Sequence, residues 1–313
     1  MTDSEVKFAF RANSVVRRLL RGLLIVYTMV TVLFGFLQRQ LLYAPRVASS
    51  LSVSDFHDLT AIFPAATDLE VTCASGDTIC GWLLRKSADP EAVATRPLVI
   101  YFHGNAGNRA SRGEWYETFD KAGADVLAMD YHGYGDSGGT MTEEALERTA
   151  DAAWKYALEN LNYRSSQIVI AGTSLGGAAA VYLASQQSES GNIPAALVTI
   201  ATFSSMVDVA RSHYPWLPVN AILVDRYPSI QRISRVSCPV VTMHGDNDAV
   251  VQQQFGRRLF DAAPLASSGN VEKKWINLRN IGHNNLLPNG RKSIHRELKR
   301  IVAAVNVHGS ALD

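Results

Sequence analysis

The chain is poor in several features that mark common functional classes. Its 313 residues hold three cysteines, Cys73, Cys80 and Cys238, and these show no zinc-ligand spacing. Cys73 and Cys80 flank the turn Ser75-Gly76-Asp77. A bridge between them in an oxidising compartment stays open, because spacing alone does not fix the Cα geometry a disulfide needs. Cys238 opens an apolar strand, the setting of a buried, inert thiol. Thirty basic and 29 acidic residues leave a net charge of +1, which gives no electrostatic footprint for nucleic acid. Neither a phosphate-binding P-loop nor an internal repeat is present.

What the sequence does contain is an alternation of strands and helices. Strands are expected at Leu69–Cys73, Thr78–Leu84, Leu98–Phe102, Asp125–Met129, Ile168–Ala171, Ala196–Ala201, Val240–Met243 and Lys274–Leu278. Helices are expected at Arg109–Lys121, Thr142–Asn160, Leu175–Ala184, Gln252–Ala262 and Lys292–Val305. After an initial hairpin this order predicts an α/β fold: an eight-stranded, mostly parallel sheet with helices on both faces. Past the first forty-odd residues, roughly 270 remain, enough for one doubly wound domain with a large core.

Within that pattern Gly172-Thr173-Ser174-Leu175-Gly176-Gly177 is the most informative segment. It places a G-x-S-x-G sequence between an apolar strand and an alanine-rich helix, the setting of a nucleophile elbow, where a serine occupies a strained turn and glycines clear its backbone. A serine hydroxyl is a weak nucleophile and needs a base, a carboxylate to orient that base, and donors for the oxyanion. Downstream, Val240-Val241-Thr242-Met243 runs into His244-Gly245-Asp246-Asn247-Asp248. Trp275-Ile276-Asn277-Leu278 is followed shortly by His283. Each candidate follows a strand, so Ser174, Asp248 and His283 are expected to form the catalytic triad, in the chain order serine, acid, histidine.

From about Asp68 to Val305 the chain resembles the α/β-hydrolase superfamily. Leu98–Asn108 is similar to the family's strand ending in a His-Gly loop. That resemblance implies that the backbone N–H groups of Asn105 and Leu175 form the oxyanion hole. Asp130-Tyr131-His132-Gly133-Tyr134-Gly135-Asp136-Ser137 resembles the family's D-x-R-G-x-G-x-S turn, with His132 where arginine is common. His103–Asn108 and Phe203–Pro239 most resemble membrane-anchored serine hydrolases related to the protein-depalmitoylating branch. The family pattern His-Gly-x-x-Asp selects Asp248 over Asp246 as the triad acid, leaving Asp246 a turn role. His103, directly after a buried strand, reads as loop architecture.

Gly135-Asp136-Ser137-Gly138-Gly139 spells the serine motif of trypsin-like proteases. No suitable histidine and aspartate precede it, and the α/β alternation does not fit two antiparallel barrels, so a glycine-rich turn is the expectation.

The N-terminal part divides into a short basic segment (1–18), an apolar run (19–37) and a connector (38–67) ahead of a hydrolase domain (68–313). The run is about nineteen residues, or roughly 28 Å of helix, just enough to span a bilayer. No small-residue cleavage site follows it, so an uncleaved transmembrane anchor is expected. Lys7, Arg11, Arg17 and Arg18 precede it and Arg21 lies at its start, near the interface, while Arg39 and Arg46 follow. This bias predicts a cytoplasmic N-terminus and a hydrolase domain on the other side, periplasmic in a bacterium; an amphipathic membrane-surface segment that leaves the domain in the cytosol stands as the alternative. Phe203–Val236, with Tyr214-Pro215-Trp216-Leu217-Pro218, reads as a small cap able to grip an apolar chain.

Together these readings predict a serine hydrolase cleaving ester or acyl-thioester bonds of lipid-like or acylated substrates, with no cofactor, no metal and no nucleic-acid partner. A peptidase or amidase of the same fold, and an anchored scaffold with little turnover, stand as alternatives.

Overall fold

The computed structural model describes residues 3–89, 95–267 and 270–309, with side chains over 16–89, 95–267 and 270–305. The side chains of Lys7 and Arg11, on which the charge bias partly rests, therefore lie outside the described residues, as do positions 1–2 and 310–313 of the expected segments.

Eight strands form one sheet: β1 (Thr67–Thr72), β2 (Thr78–Leu84), β3 (Leu98–Phe102), β4 (Asp125–Met129), β5 (Ile168–Thr173), β6 (Ala196–Ile200), β7 (Val240–Gly245) and β8 (Lys274–Leu278). Their spatial order is β8-β7-β6-β5-β3-β4-β2-β1. β2 runs antiparallel to both its neighbours and every other pairing is parallel. The parallel strands read as unbroken apolar runs, Leu98-Val99-Ile100-Tyr101-Phe102 among them, because helices cover both faces and leave no wet side.

The helices are α1 (Asp3–Leu42), α2 (His57–Ile62), α3 (Gly113–Ala122), α4 (Glu143–Glu159), α5 (Leu175–Glu189), α6 (Met206–His213), α7 (Val219–Ile222), α8 (Ser229–Ile233), α9 (Gln253–Ala262) and α10 (Leu286–Gly309). Strand alternation splits the core into two halves. Ile100, Ile170 and Leu197 pack with Leu146 of α4, Ala179 of α5 and Leu259 of α9. On the other face Val99, Val169 and Val198 pack with Phe119 of α3 and Leu298 of α10.

Two local departures from expectation have physical causes. Arg109–Arg112 is a separate 3-10 turn ahead of α3, because the Asn108 side chain accepts from the Ala110 N–H and caps it. α10 starts at Leu286, ahead of the expected Lys292, although Pro288 and Gly290 read as breakers. A proline in a helix's first turn lacks only an N–H that has no intrahelical acceptor there. α1 continues past the apolar run to Leu42.

All three cysteines are buried, free thiols. Cys73 Sγ lies 3.9 Å from the Arg148 carbonyl and Cys80 Sγ 3.5 Å from that of Asp136. Burial, with the Asp136 carboxylate nearby, pushes the Cys80 thiol up to about 11, and burial takes Cys238 to about 12.

Candidate active site

β3 and β5 are neighbours, yet the chain reaches β4 before crossing back to β5. Such a reversal opens a crevice beyond the carboxyl ends of the strands. Ser174 stands in it, between the end of β5 and the first residue of α5, with φ 54° and ψ −118°. A non-glycine residue held there costs about 1–3 kcal/mol. Surrounding bonds enforce it: the Ser174 N–H donates to the Ile200 carbonyl at 2.8 Å, and the Ser174 carbonyl accepts from Thr202 Oγ1 at 2.8 Å. The flanking glycines are required by close approach. A Cβ on Gly172 would lie 2.1 Å from the Gly176 carbonyl oxygen, and one on Gly176 would lie 2.1 Å from that of Phe102.

Three sequence-predicted side chains meet here in one hydrogen-bonded chain. His283 Nε2 lies 3.0 Å from Ser174 Oγ, and His283 Nδ1 lies 2.7 Å from Asp248 Oδ2. A carboxylate only accepts, so Nδ1–H donates to Asp248 and Nε2 is left to accept from the serine hydroxyl. Asp248 Oδ1 in turn accepts from the N–H groups of Val250 and Val251 at 2.9 and 2.8 Å. Burial alone would raise this carboxyl, but hydrogen bonds from His244, His283 and the Val251 N–H outweigh it and hold Asp248 well below the usual carboxylate range. Asp246 is not in the chain. Its Oδ1 accepts from the Asn280 N–H at 2.6 Å, a tie between two loops.

The other expected positions also find places. Leu175 opens α5, so its N–H has no intrahelical acceptor. Asn105 and Leu175 both line the cavity at Ser174. The Asn105 side chain is fixed, with Oδ1 accepting from Tyr134 Oη at 2.8 Å and Nδ2 donating to the Leu42 carbonyl at 2.6 Å. His103 is engaged on both ring nitrogens, 2.7 Å from the Gly104 carbonyl and 3.1 Å from Asp130 Oδ1, as befits loop architecture. Ser137 Oγ accepts from the Cys80 N–H at 2.9 Å and holds a turn, apart from the histidine chain.

Two residues that sequence reasoning did not single out support this arrangement. Arg109 is fully buried, donating through Nη1 to Asp130 Oδ2 and Asp136 Oδ1, each at 2.6 Å, with its own N–H on Asp130 Oδ1 at 2.7 Å. It locks the loop after β3 onto the turn after β4. His132, at the position where arginine is common, instead lies 3.0 Å from Thr149 Oγ1. His244 is the second. Its Nε2–H donates to the Val251 carbonyl at 2.8 Å and lies 3.5 Å from Asp248 Oδ2, bracing the acidic turn. The His-Gly dipeptide before Asp246 is its only sequence signal.

The crevice holds a cavity of ≈ 800 Å³, within the usual range for small-molecule sites. Ser174, His283 and Leu175 line it, with Phe203, Met206, Leu217 and Leu223 of the 203–236 segment and Phe34 and Leu41 of α1. The segment forms three short helices, α6–α8, between β6 and β7.

Fold and crevice together define an α/β hydrolase. Residues 97–220 match the family described as the alpha/beta hydrolase fold. An uncharacterized protein of Mycobacterium tuberculosis is 34% identical over 247 residues, 79% of this chain and 80% of that one. The chain belongs to the α/β-hydrolase superfamily. Lysophosphatidylserine lipase ABHD12 of Danio rerio is 31% identical over 195 residues, 58% of this chain; the chain spans about half of that relative's length, 50%. Among solved structures, an esterase of Pyrococcus furiosus has a TM-score of 0.61 at 17% identity, over 83% of this chain and 98% of that one. A Paleococcus ferrophilus monoacylglycerol lipase has a TM-score of 0.51 at 18% identity, over 67% and 96%.

Proposed function

We propose that the protein is a membrane-anchored serine hydrolase that cleaves carboxylic ester or acyl-thioester bonds of lipid-like or acylated substrates. The observation that carries this reading is the chain Ser174–His283–Asp248 at a strained strand-to-helix turn beneath a largely apolar cavity. His283 Nε2 takes the Ser174 proton as Oγ attacks the acyl carbonyl, and Asp248 stabilises the imidazolium. The amides of Asn105 and Leu175 hold the oxyanion. The tetrahedral intermediate expels the alcohol or thiol, which takes its proton from His283. Water, deprotonated by His283, then releases the acid and regenerates Ser174. The lipase name of the Danio rerio relative favours a lipid ester over a peptide.

The anchor is α1, whose Val16–Leu42 portion is apolar and long enough to cross a bilayer. Its basic bias puts the N-terminus in the cytoplasm and the hydrolase domain on the other side, the periplasm in a bacterium.

Matched palmitoyl ester, thioester and amide substrates test the reading. Wild type is expected to turn over ester and thioester, and Ser174→Ala to lose about 10³-fold or more in kcat. Amide cleavage at a rate matching the ester would favour the peptidase alternative. No turnover of any of the three favours the scaffold.

A further inference from the structure

The helix apolar enough to cross a membrane also walls the cavity at Ser174. Phe34, Gln38, Leu41 and Leu42, from its last turns, line that cavity. Several contacts hold α1 in this place. The Arg39 guanidinium donates to both carboxylate oxygens of Asp225, at 2.9 and 3.2 Å. Gln38 grips the backbone of the cap, donating to the Ile222 carbonyl at 3.1 Å and accepting from the Val224 N–H at 2.7 Å. The Phe34 ring meets Tyr214 and Trp216 edge-on, with centroids 5.5 and 5.7 Å apart. The last carbonyl of the helix, Leu42, accepts from the Asn105 side chain at 2.6 Å.

Depth follows from helix geometry. Arg21 and Arg39 are 18 residues apart, about 27 Å along a helix, close to the ~30 Å hydrocarbon core of a bilayer. With basic residues at the two boundaries, the Arg39–Asp225 pair lies at headgroup level and Phe34 about 7.5 Å deeper. Tyr214 and Trp216, which touch Phe34, are 39% and 50% exposed, and the Trp216 carbonyl accepts from Tyr27 Oη at 3.0 Å, so the cap follows α1 into the apolar layer. The cavity wall therefore reaches into the layer where acyl chains reside. Its lining is mostly apolar along α1 and the cap, Gln38 and His213 apart, and polar at Ser111, Arg112, Glu114 and Asn284, the division that an amphiphile matches.

We infer that α1 is both anchor and pocket wall: a lipid with one long acyl chain and a polar head enters sideways from the leaflet, between Phe34–Leu42 and the cap, and brings its carbonyl to Ser174 without crossing water. Only the chemistry at Ser174 rests on the hydrolase reading; the entry path does not.

The test uses the full chain in phosphatidylcholine vesicles with an ether-linked lysophosphatidylcholine carrying a diazirine at its chain end, a probe with no bond to hydrolyse. Photoadducts are expected on Phe34–Leu42 and on Met206–Leu223. They should be lost on adding excess of the same lipid without the diazirine, and lost in Leu41→Trp, which fills the wall. Adducts on Met29, exposed and about 15 Å along the helix from Arg39, should persist in both cases as ordinary bilayer contact. Adducts on Phe34–Leu42 that resist the competitor, or none there, overturn the proposal. If Leu41→Trp does not fold, the competitor on wild type decides alone. Competed adducts in a protein that cleaves no ester would uphold the wall and sink the hydrolase reading; ester cleavage without competed adducts would do the reverse.

Discussion

Asp246 and Asp248 stand two positions apart on one turn, yet their surroundings give them different work. Asp248 faces His283 and two backbone N–H groups, whereas Asp246 ties down Asn280. Asp248→Asn is therefore expected to lower kcat by about 10⁴-fold through the wrong histidine tautomer, and Asp246→Asn to stay within about threefold; steady-state ester hydrolysis distinguishes them. The same contacts set a pH dependence. The Asp248 carboxyl is depressed in the folded state, so its stabilising contribution is fully present above the unfolded value of about 4 and is lost as pH falls through the lower folded value. The melting-temperature gap between wild type and Asp248→Asn should narrow as pH drops from about 6 to about 3. No narrowing would mean that the depression is absent. Ser174, Asp248 and His283 are legible in the sequence because each follows an apolar strand at a recognisable spacing. Arg109 and His244 are not, because their roles depend on partners that chain folding brings together: Asp130 is 21 residues from Arg109, and the Val251 carbonyl that fixes His244 belongs to an irregular turn.

Strand-to-helix junctions and the docking of α1 are where whole elements bear on the site. The start of α5 passes so close to the end of β3 that Gly176 has no room for a side chain. Gly176→Ala is expected to destabilise the fold by about 3 kcal/mol or more through overpacking against rigid backbone, read as a lowered melting temperature with labelling of Ser174 lost. An alanine variant of wild-type stability would contradict the close approach. On the other side, Asp225 is 3% exposed and receives Arg39 and Tyr43 from α1 and its end. Asp225→Ala should cost about 1–3 kcal/mol by stranding these donors and make residues 203–236 more sensitive to limited proteolysis. The core strands are legible as apolar runs, and their observed bounds differ from expectation by at most a few residues. The cap helices are not, since Met206–His213, Val219–Ile222 and Ser229–Ile233 are each too short to show a helical period and owe their shape to packing. The early start of α10 escapes the same way, hidden by Pro288 at a position where proline is harmless.

For the molecule as a whole, the proposed anchor couples a hydrolase fold to a bilayer through one helix that also reaches the site. Alkaline carbonate, which strips peripheral proteins, is expected to leave the full chain with the membrane fraction, and release would contradict a spanning α1. Protease added on the non-cytoplasmic side should degrade the hydrolase domain and spare an N-terminal tag; the opposite pattern would reverse the orientation argued from the basic residues. The chemistry itself stands or falls with one serine. Fluorophosphonate labelling of the full-length protein in its membrane, followed by mapping of the modified peptide, is expected to place the label on Ser174, to disappear in Ser174→Ala and to persist in Ser137→Ala. A properly folded wild type that takes no label, or takes it on another serine, would contradict the assignment of Ser174 as the activated nucleophile.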